Sequence, residues 1–414
     1  MRFGLDSTWH RAGSDGRAVL AGSPLRMFRL TSAGADVVDC IERGEHVEST
    51  LIDRLVDAGA IHPVAEHPAA FTAADITIVT PQLGGSVVSD GRITIDDSSI
   101  PPLAGATERL GVNRGPAAAR NAGRRHVNTP LVAFFDADVD QRFDDLTTDA
   151  AAEWWAPLLA HFDDPNVGLV APRVLGDATS SLDLGAEPGR VSAGTRVSYV
   201  PAAAILVRVA AFDDVGGFDE QLRFGEDVDF VWRLADARWR CRYEPSVTVT
   251  HHPRATLRAR LSQQVGYGSS SAPLAMRHPS ALAPMRTSIW TAGVWGLVAL
   301  GQPVAAVGLA SANAALVART LPDVAASTIA RIAVRSQLRA GLQTAEATRR
   351  VWWPFVALVA LVSRRARWVA IAAIAARPRR TLLDLAFGWG VWGGVIKHRT
   401  LGPILPRIVS TRSG

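Results

Sequence analysis

The clearest chemical signal in the sequence is a pair of carboxylates at the end of an apolar run. Leu131–Phe135 is entirely apolar, and Asp136 and Asp138 follow it at once. A strand that ends in two carboxylates can offer oxygen ligands to a hard divalent cation, and Mg²⁺ or Mn²⁺ shares such ligands readily with a diphosphate. The motif predicts a cation site, and the alternative is an ordinary loop after a strand.

A second acidic pair lies at the start of a predicted helix. Gly216–Glu220 contains two glycines, and Gly225 comes directly before Glu226 and Asp227. The residues that follow repeat apolar side chains at helical spacing. A carboxylate at such a place can take a proton from a hydroxyl as a general base. The alternative is an acidic first turn that only complements the helix dipole.

Two more motifs could complete a site of this kind. Asn113–Gly123 contains a proline suited to the first turn of a helix and carries Arg120, which could face a phosphate or an internal carboxylate. His251 and His252 follow the predicted strand Val247–Thr250. A histidine after a strand is usually structural, but next to a cation site it is a candidate nitrogen ligand.

The elements that must position these residues form three segments. Residues 1–70 contain short predicted strands, two capped helices and a returning strand, an order that resembles a winged helix. His62 in this segment is expected at the surface. Residues 75–279 alternate short apolar runs with helical stretches, which predicts an α/β domain with a mainly parallel sheet. The acidic motifs fall at the carboxyl ends of strands, where such sheets bind ligands.

The third segment, residues 280–414, is apolar and rich in arginine. From Met276 onward the chain has 18 Arg or Lys against 3 Asp or Glu, and residues 287–318 carry no charge. That stretch exceeds the ~20 residues that a spanning helix needs. Gly301–Pro303 interrupts it, so the stretch predicts either one kinked span or two short re-entrant helices. Three cations at a spacing of four residues form a stripe typical of a helix on an anionic bilayer face: Arg331, Arg335 and Arg339. We expect a membrane-associated region on the cytoplasmic side of the cell membrane.

Composition excludes several classes of protein. Hydrophobic residues make up 48% of the chain, which is too high for a disordered protein. The net charge of +5 combines an acidic front with a basic tail. Because the positive charge lies beside the most apolar stretches, it favours a membrane surface and not a nucleic acid. Cys40 and Cys241 are too few for a disulfide framework or a cysteine zinc site, and we expect no secretory signal.

Taken together and in this order, the motifs resemble glycosyltransferase family 2, the inverting GT-A enzymes that use nucleotide-sugars. The family pattern appears at Val79–Pro81, Asp96–Ser99, Asn113–Gly123, Asp136 with Asp138, Gly216–Glu220, Glu226 with Asp227, and His251. A second set of motifs resembles the glycosyltransferases of mycofactocin biosynthesis: Gly22–Leu30, Ser198–Ala202, Gly225–Asp229 and Tyr267–Pro279.

This resemblance implies a GT-A (Rossmann-like) transferase domain, preceded by a PqqD-like peptide-recognition domain and followed by the apolar tail. It implies metal-dependent, inverting transfer of glucose from UDP-glucose to the peptide-derived redox cofactor mycofactocin, which builds a β-linked oligoglucose. The acceptor would be the mycofactocin precursor, and the metal would be Mg²⁺ or Mn²⁺.

The resemblance also implies roles for individual residues. The donor-binding residues would be Pro81, Asp96, Asp97, Asn113, Arg120, Asn121 and Asp136. The metal would be held by Asp136, Asp138 and His251, with His252 left open as an alternative. Asp227 would be the general base, with Glu226 beside it in the catalytic pair.

The chain departs from the family pattern between Pro81 and Asn113. Only Gln82–Ile95 stand where the family has a full helix and a strand, and Ser98 replaces the glycine of an Asp-Asp-Gly-Ser motif. These differences fall on the nucleotide-base side of the site. A second hypothesis is therefore a catalytically impaired fold that serves as a peptide-binding scaffold. A third keeps the enzyme but transfers the sugar to a polyprenyl phosphate, which the apolar tail would suit.

Overall fold

The structure is a computed structural model that describes residues 1–13, 15–64, 69–87, 91–140, 148–177, 180–252 and 256–409. The chain divides into two compact units, Met1–His10 with Val19–Pro253 and Arg11–Ala18 with Arg254–Gly414. The strands are β1 (Phe3–Leu5), β2 (His10–Ala12), β3 (Ala18–Ala21), β4 (Arg26–Arg29), β5 (Ile61–Pro63), β6 (Ile76–Gln82), β7 (Ile93–Asp96), β8 (Glu108–Arg109), β9 (Leu131–Phe135), β10 (Val139–Asp140), β11 (Val167–Leu175), β12 (Gly189–Arg190), β13 (Ala204–Arg208), β14 (Arg240–His251), β15 (Arg286–Thr287) and β16 (Arg407–Ile408).

The α-helices of the described residues are α1 (Ser32–Glu42), α2 (Thr50–Asp57), α3 (Pro116–Arg124), α4 (Asp149–Leu159), α5 (Val209–Asp214), α6 (Glu226–Asp236), α7 (Leu257–Ser269), α8 (Ser271–Arg277), α9 (Ile289–Ala299), α10 (Pro303–Thr320), α11 (Ala326–Ala347), α12 (Trp353–Ala360), α13 (Arg364–Ala376) and α14 (Thr381–His398).

Residues 1–10 and 19–64 form a small N-terminal module within the first unit. Its helices begin at side-chain caps, because the Thr31 hydroxyl accepts a hydrogen bond from the Gly34 N–H and the Ser49 hydroxyl from the Leu51 N–H. Strands β1 and β5 pair antiparallel and close the module. Its core is apolar and includes Phe3, Val19, Phe28, Val38, Ile41, Leu55, Val56 and Ile61. The likeness to a PqqD-like domain stays a prediction.

The rest of the first unit is built on a mixed central sheet in the order β10-β14-β11-β13-β9-β6-β7-β8, with β12 on β14. Pairs β6–β7, β6–β9, β7–β8 and β11–β14 are parallel. Pairs β9–β13, β11–β13, β10–β14 and β12–β14 are antiparallel. The α/β class is confirmed, but the expectation of a mainly parallel sheet is wrong, because a fully buried apolar strand carries no sequence signal for its direction.

Strand β9 has packed layers on both faces because its neighbouring side chains alternate. Phe135 meets Trp155 of α4 edge to face, with 5.9 Å between ring centroids. Phe134 points the other way and lies 5.6 Å from the ring of Phe212 in α5. Helix α3 packs against the sheet at Gly123, where an added Cβ would overlap Val79 of β6. The sheet and its two layers fix the carboxyl end of β9.

The second unit is mainly helical in its described residues and also contains the short parallel pair β15–β16. Helices α7 and α14 approach closely at glycine, since an added Cβ at Gly268 or Gly390 would overlap the main chain of the facing helix. The uncharged stretch forms α9 and α10 and not one continuous helix. Among the described residues, no helix is both long and apolar enough to cross a membrane.

Candidate active site

The site is built where β9 ends beside the start of an antiparallel neighbour. Asp136 follows β9, and its main-chain N–H donates to the Ala203 carbonyl at 3.0 Å. Because β13 runs opposite to β9, residues 202 and 203 enter the sheet at the end where the acidic motif leaves it. The central sheet thereby brings two distant sequence motifs to one edge.

The Asp136–Asp140 loop is held by a strand pair that the sequence did not predict. Strand β10 pairs antiparallel with the end of β14, and Val139 lies opposite His251. Asp138 Oδ2 is 3.3 Å from His251 Nε2. His252 instead turns its Nε2 to Asp140 Oδ2 at 2.6 Å, and both of these side chains are exposed. The structure thus gives the two adjacent histidines different partners.

Arg120 connects the two acidic motifs. Its buried guanidinium donates to Asp136 Oδ1 at 2.6 Å and to Glu226 Oε1 at 3.0 Å, and it lies 5.3 Å from the ring centroid of Phe218. Helix α3, which carries Arg120, is fixed by its close contact with β6. Of the two partners considered for Arg120, the structure shows internal carboxylates, and its role toward the donor stays a prediction.

Asn121 supports the Gly216–Glu220 loop. Its amide nitrogen donates to the Phe218 carbonyl at 2.9 Å and to Glu220 Oε1 at 3.0 Å, and its amide oxygen accepts from the Phe218 N–H at 2.9 Å. Gly217, with φ +72°, leaves no room for a side chain, because an added Cβ would lie 2.7 Å from Asn121 Oδ1. The donor-binding role of Asn121 stays a prediction.

Asp96 and Asp97 organise the loop after β7. Asp97 accepts hydrogen bonds from the Arg114 N–H at 2.7 Å and the Gly115 N–H at 2.8 Å. Asp96 accepts from the Ser99 N–H at 2.7 Å. Burial opposes ionisation of Asp96, but the Ser99 hydrogen bonds outweigh it and lower its pKa. Asp96 is therefore an anion, and the hydrogen bonds of both side chains brace the predicted nucleotide side of the site.

Two other residues predicted to bind the donor lie in the same region. Pro81 is buried in β6, in parallel register with Ile95. Asn113 donates to the Asp97 carbonyl at 3.2 Å, and its amide oxygen accepts from Arg223 at 2.8 Å. Their roles toward the donor stay predictions.

The acidic pair of α6 begins the helix, as the sequence predicted. Gly225 precedes it in the left-handed region at φ +77°. Burial raises the pKa of Asp227, and burial together with the charge of Asp227 raises the pKa of Glu226 to about 7. Asp227 Oδ1 accepts from the Val228 N–H at 2.8 Å, and the Ala202 N–H also faces this carboxylate. A carboxylate with a raised pKa is a stronger general base than an exposed one.

The charge of the site suits a cation. The Arg120 guanidinium pairs with Asp136 and Glu226, and the charges of Asp138 and Asp227 also act on Asp136 or on Arg120. Within the described ranges, no group of three His, Cys, Asp or Glu side chains forms a ready-made metal cluster. Asp138 and His251 nevertheless offer one oxygen and one nitrogen ligand 3.3 Å apart. That donor set fits Mg²⁺ or Mn²⁺, because such ions keep water and take further oxygens from phosphates.

Curated relatives show the class of the protein. The pre-mycofactocin glycosyltransferase of Mycobacterium tuberculosis (strain ATCC 25618 / H37Rv) is 36% identical over 462 aligned positions, which cover 96% of this chain and 96% of the relative. The same figures hold for the protein of strain CDC 1551. The chain is therefore a glycosyltransferase. Since the identity extends over nearly the whole length of both proteins, it belongs to the family of pre-mycofactocin glycosyltransferases.

Other similarities are partial. The succinoglycan biosynthesis protein ExoA of Rhizobium meliloti is 31% identical over 119 positions, which cover 24% of this chain and 36% of that protein. A mannosyltransferase from Pyrobaculum calidifontis, solved with GDP-Man and Mn²⁺, covers 84% of this chain and 92% of its own, at a TM-score of 0.44 and 16% identity. A likeness this distant carries no inference about ligands. No family model matches the chain.

Proposed function

We propose that this glycosyltransferase moves glucose from UDP-glucose to the mycofactocin precursor, with inversion at the anomeric carbon and with Mg²⁺ or Mn²⁺. The observation that carries the proposal is the bridge through Arg120, which joins Asp136 of the acidic loop to Glu226 beside Asp227. This bridge supports a diphosphate and cation site that lies next to the base. The name of the M. tuberculosis relatives supports the acceptor.

In this mechanism Asp227 takes the proton of an acceptor hydroxyl. The hydroxyl oxygen forms a bond to the anomeric carbon on the face opposite the diphosphate, and the bond from that carbon to the diphosphate oxygen breaks. UDP leaves with the bonding electron pair, and Asp227 later gives its proton to water. The single displacement turns an α-linked donor into a β-linked product. Asp138 and His251 would hold the cation, which supplies positive charge for the departing diphosphate.

Glu226 has a supporting part in this proposal. Its carboxylate is held by Arg120 and lies next in sequence to Asp227. Burial and the charge of Asp227 keep its pKa near 7, so it shares the negative charge of the pair. Asp227 is the better candidate for the base because it is less deeply buried and is not paired with Arg120 among the described contacts.

The test is mass spectrometry of the mycofactocin precursor after incubation with full-length protein, Mn²⁺ and one donor at a time. UDP-glucose should add one or more hexose units to the precursor. GDP-mannose and UDP-N-acetylglucosamine should add nothing. Transfer to a polyprenyl phosphate and not to the precursor would reassign the acceptor. Folded protein that neither transfers sugar to either acceptor nor binds UDP with Mn²⁺ would support the peptide-binding scaffold.

We also propose that the helical unit binds the anionic cytoplasmic face of the cell membrane. Large apolar side chains are exposed at two helix turns, including Val304 at 85%, Leu361 at 77% and Val362 at 87%. The turn between α12 and α13 is followed by arginines and by no acidic residue before Asp384. Apolar tips beside cations match an anionic lipid surface. Flotation of the full chain with vesicles that contain phosphatidylglycerol, but not with pure phosphatidylcholine vesicles, is the expected result.

A further inference from the structure

We infer that Arg196 is a positioning residue for the transfer reaction. Arg196 anchors one segment of the chain to the N-terminal module, and the other end of that segment contacts the catalytic end of α6. The segment consists of residues 191–203 and is called the bridging segment below. The inference rests on the proposed function in one respect, the assignment of Asp227 as the base. All of its residues lie within the first unit.

At one end, the bridging segment is bound to the N-terminal module through Arg196. Its guanidinium Nη2 donates to Asp6 Oδ2 at 2.8 Å, and its Nη1 donates to the Ser7 hydroxyl at 3.4 Å. The main-chain N–H of Arg196 donates to the Ser23 hydroxyl at 2.6 Å. Three residues of the module therefore hold one residue of the segment.

Asp6 is a fixed acceptor for this contact. Its side chain is 1% exposed and also accepts from the Thr8 N–H at 2.9 Å and from His62 Nε2 at 2.9 Å. Burial tends to raise the pKa of Asp6, but the hydrogen bonds from His62, Thr8 and Arg196 outweigh it and hold the pKa far below the usual range. Asp6 is thus an anion at neutral pH. His62, expected at the surface, is buried because it serves this carboxylate.

At its other end, the bridging segment contacts the catalytic elements. The Trp232 indole N–H of α6 donates to the Ser198 carbonyl at 2.8 Å. The Ala202 N–H faces the Asp227 carboxylate, and the Ala203 carbonyl accepts from the Asp136 N–H at 3.0 Å. The end of the segment therefore touches both the candidate base and the first residue of the acidic loop.

Between these ends, the segment has little regular structure of its own. It contains one isolated bridge, Val191 with Val197, and the described residues of the segment form no helix. Among the described contacts, the Thr195 hydroxyl lies within hydrogen-bond distance of three carbonyls that are near it in sequence, those of Arg190, Ser192 and Val197. A segment of this kind keeps its position through its anchors, so loss of the Arg196 anchor should let Ala202 and Asp227 move.

The test compares Arg196→Gln with two matched variants of the full chain. Arg196→Lys keeps a cation for Asp6. Arg124→Gln removes another arginine of the same unit. Arg124 binds both oxygens of Asp213, at 3.0 and 2.6 Å, and is not among the residues assigned to the donor, the metal or the base. We expect Arg196→Gln to lower kcat about ten- to hundredfold, because small misplacements of reacting groups cost this much. The KM for UDP-glucose should change less than about twofold.

Arg196→Lys should recover most of the lost kcat, and Arg124→Gln should match the wild type. Two results would overturn the inference. One is a kcat of Arg196→Gln no lower than that of Arg124→Gln. The other is a loss that falls entirely on the KM for the acceptor, which would make the contact part of acceptor binding.

A second measurement does not depend on the donor or on Asp227 as the base. Amide hydrogen exchange of Arg196→Gln should rise in residues 198–203 and in the first turn of α6, while Arg124→Gln leaves both unchanged. Unchanged exchange at both places in Arg196→Gln would overturn the inference whatever the enzyme transfers. If wild-type protein gives no transfer from UDP-glucose but the exchange result holds, the proposed function fails and the positioning role stands.

Discussion

Asp138, which directly precedes β10, lies beside His251 at the end of β14, with 3.3 Å between Oδ2 and Nε2. The side chain of the next histidine, His252, instead contacts the exposed carboxylate of Asp140. Two histidines that look equivalent in the sequence therefore have different surroundings. This relationship makes the candidate cation site testable with a matched pair of variants.

His251→Ala should raise the Mn²⁺ concentration for half-maximal transfer at least about tenfold, because it removes a candidate ligand. His252→Ala is the control and should change this concentration less than about twofold, since its side chain bonds Asp140. The measurement is a titration of activity with Mn²⁺ at saturating donor. A larger effect from His252→Ala than from His251→Ala would reverse the assignment.

Arg120→Met should lower the free energy of unfolding by about 3–5 kcal/mol, because it leaves the buried Glu226 and the partly buried Asp136 without their cation. Arg120 contacts both Asp136 and Glu226. The double variant Arg120→Met with Glu226→Gln should regain part of the loss, since it removes one of the uncompensated charges. Urea denaturation at neutral pH measures both. Equal stability of the single and double variants would show that Glu226 is not coupled to Arg120.

Stability should fall as pH rises toward neutrality on account of Glu226. Burial raises its pKa from 4.5 to about 7, so the native state binds this proton more tightly than the unfolded chain. The stabilisation is complete below the unfolded pKa and is lost as pH rises from about 4.5 through about 7. Glu226→Gln should remove this loss, on the order of 2–3 kcal/mol. Denaturation of the wild type and of Glu226→Gln between about pH 5 and 8, a range that spans the raised pKa, checks this prediction. Parallel pH profiles of the two proteins would contradict it.

Arg242→Met should raise the melting temperature. The Arg242 guanidinium is 3% exposed, none of its nitrogens has a hydrogen-bond partner among the described residues, and burial lowers its pKa to about 10. An apolar side chain of similar length avoids this desolvation, with an expected gain of about 1–3 kcal/mol. Arg240→Met is the opposite control, because Arg240 binds Asp53, Asp57 and Asp164. A destabilised Arg242→Met would show that the guanidinium has a bound partner.

The sequence predicted the elements whose signals are local. The apolar run Leu131–Phe135 is strand β9, and Ser49 caps α2. In these cases the residue types fix the local backbone, so no tertiary information was needed. The start of α6 at Glu226 was predictable for the same reason, since Gly225 and the acidic first turn mark a helix start.

The parts that were missed depend on long-range contacts. Strand β10 has only two residues and exists because β14 pairs with it. Strand β14 begins at Arg240, well before the predicted Val247–Thr250, because charged side chains alternate along its first half and hide the apolar pattern. The bridging segment has no periodic pattern of apolar residues, and its position depends on the contacts of Arg196 and Trp232. Ser98 lies at φ +67°, the conformation for which the family pattern has glycine.

In the proposed mechanism, Asp227 removes a proton from the acceptor during glycosyl transfer. The most direct measurement compares the wild type with Asp227→Asn in the mass-spectrometric transfer assay, with UDP binding followed in parallel by calorimetry. Asp236→Asn, an exposed position on the same helix, is the control. Asp227→Asn should lose at least about 100-fold in kcat, while its Kd for UDP in the presence of Mn²⁺ stays within about twofold of the wild type. Turnover of Asp227→Asn equal to that of Asp236→Asn would contradict it.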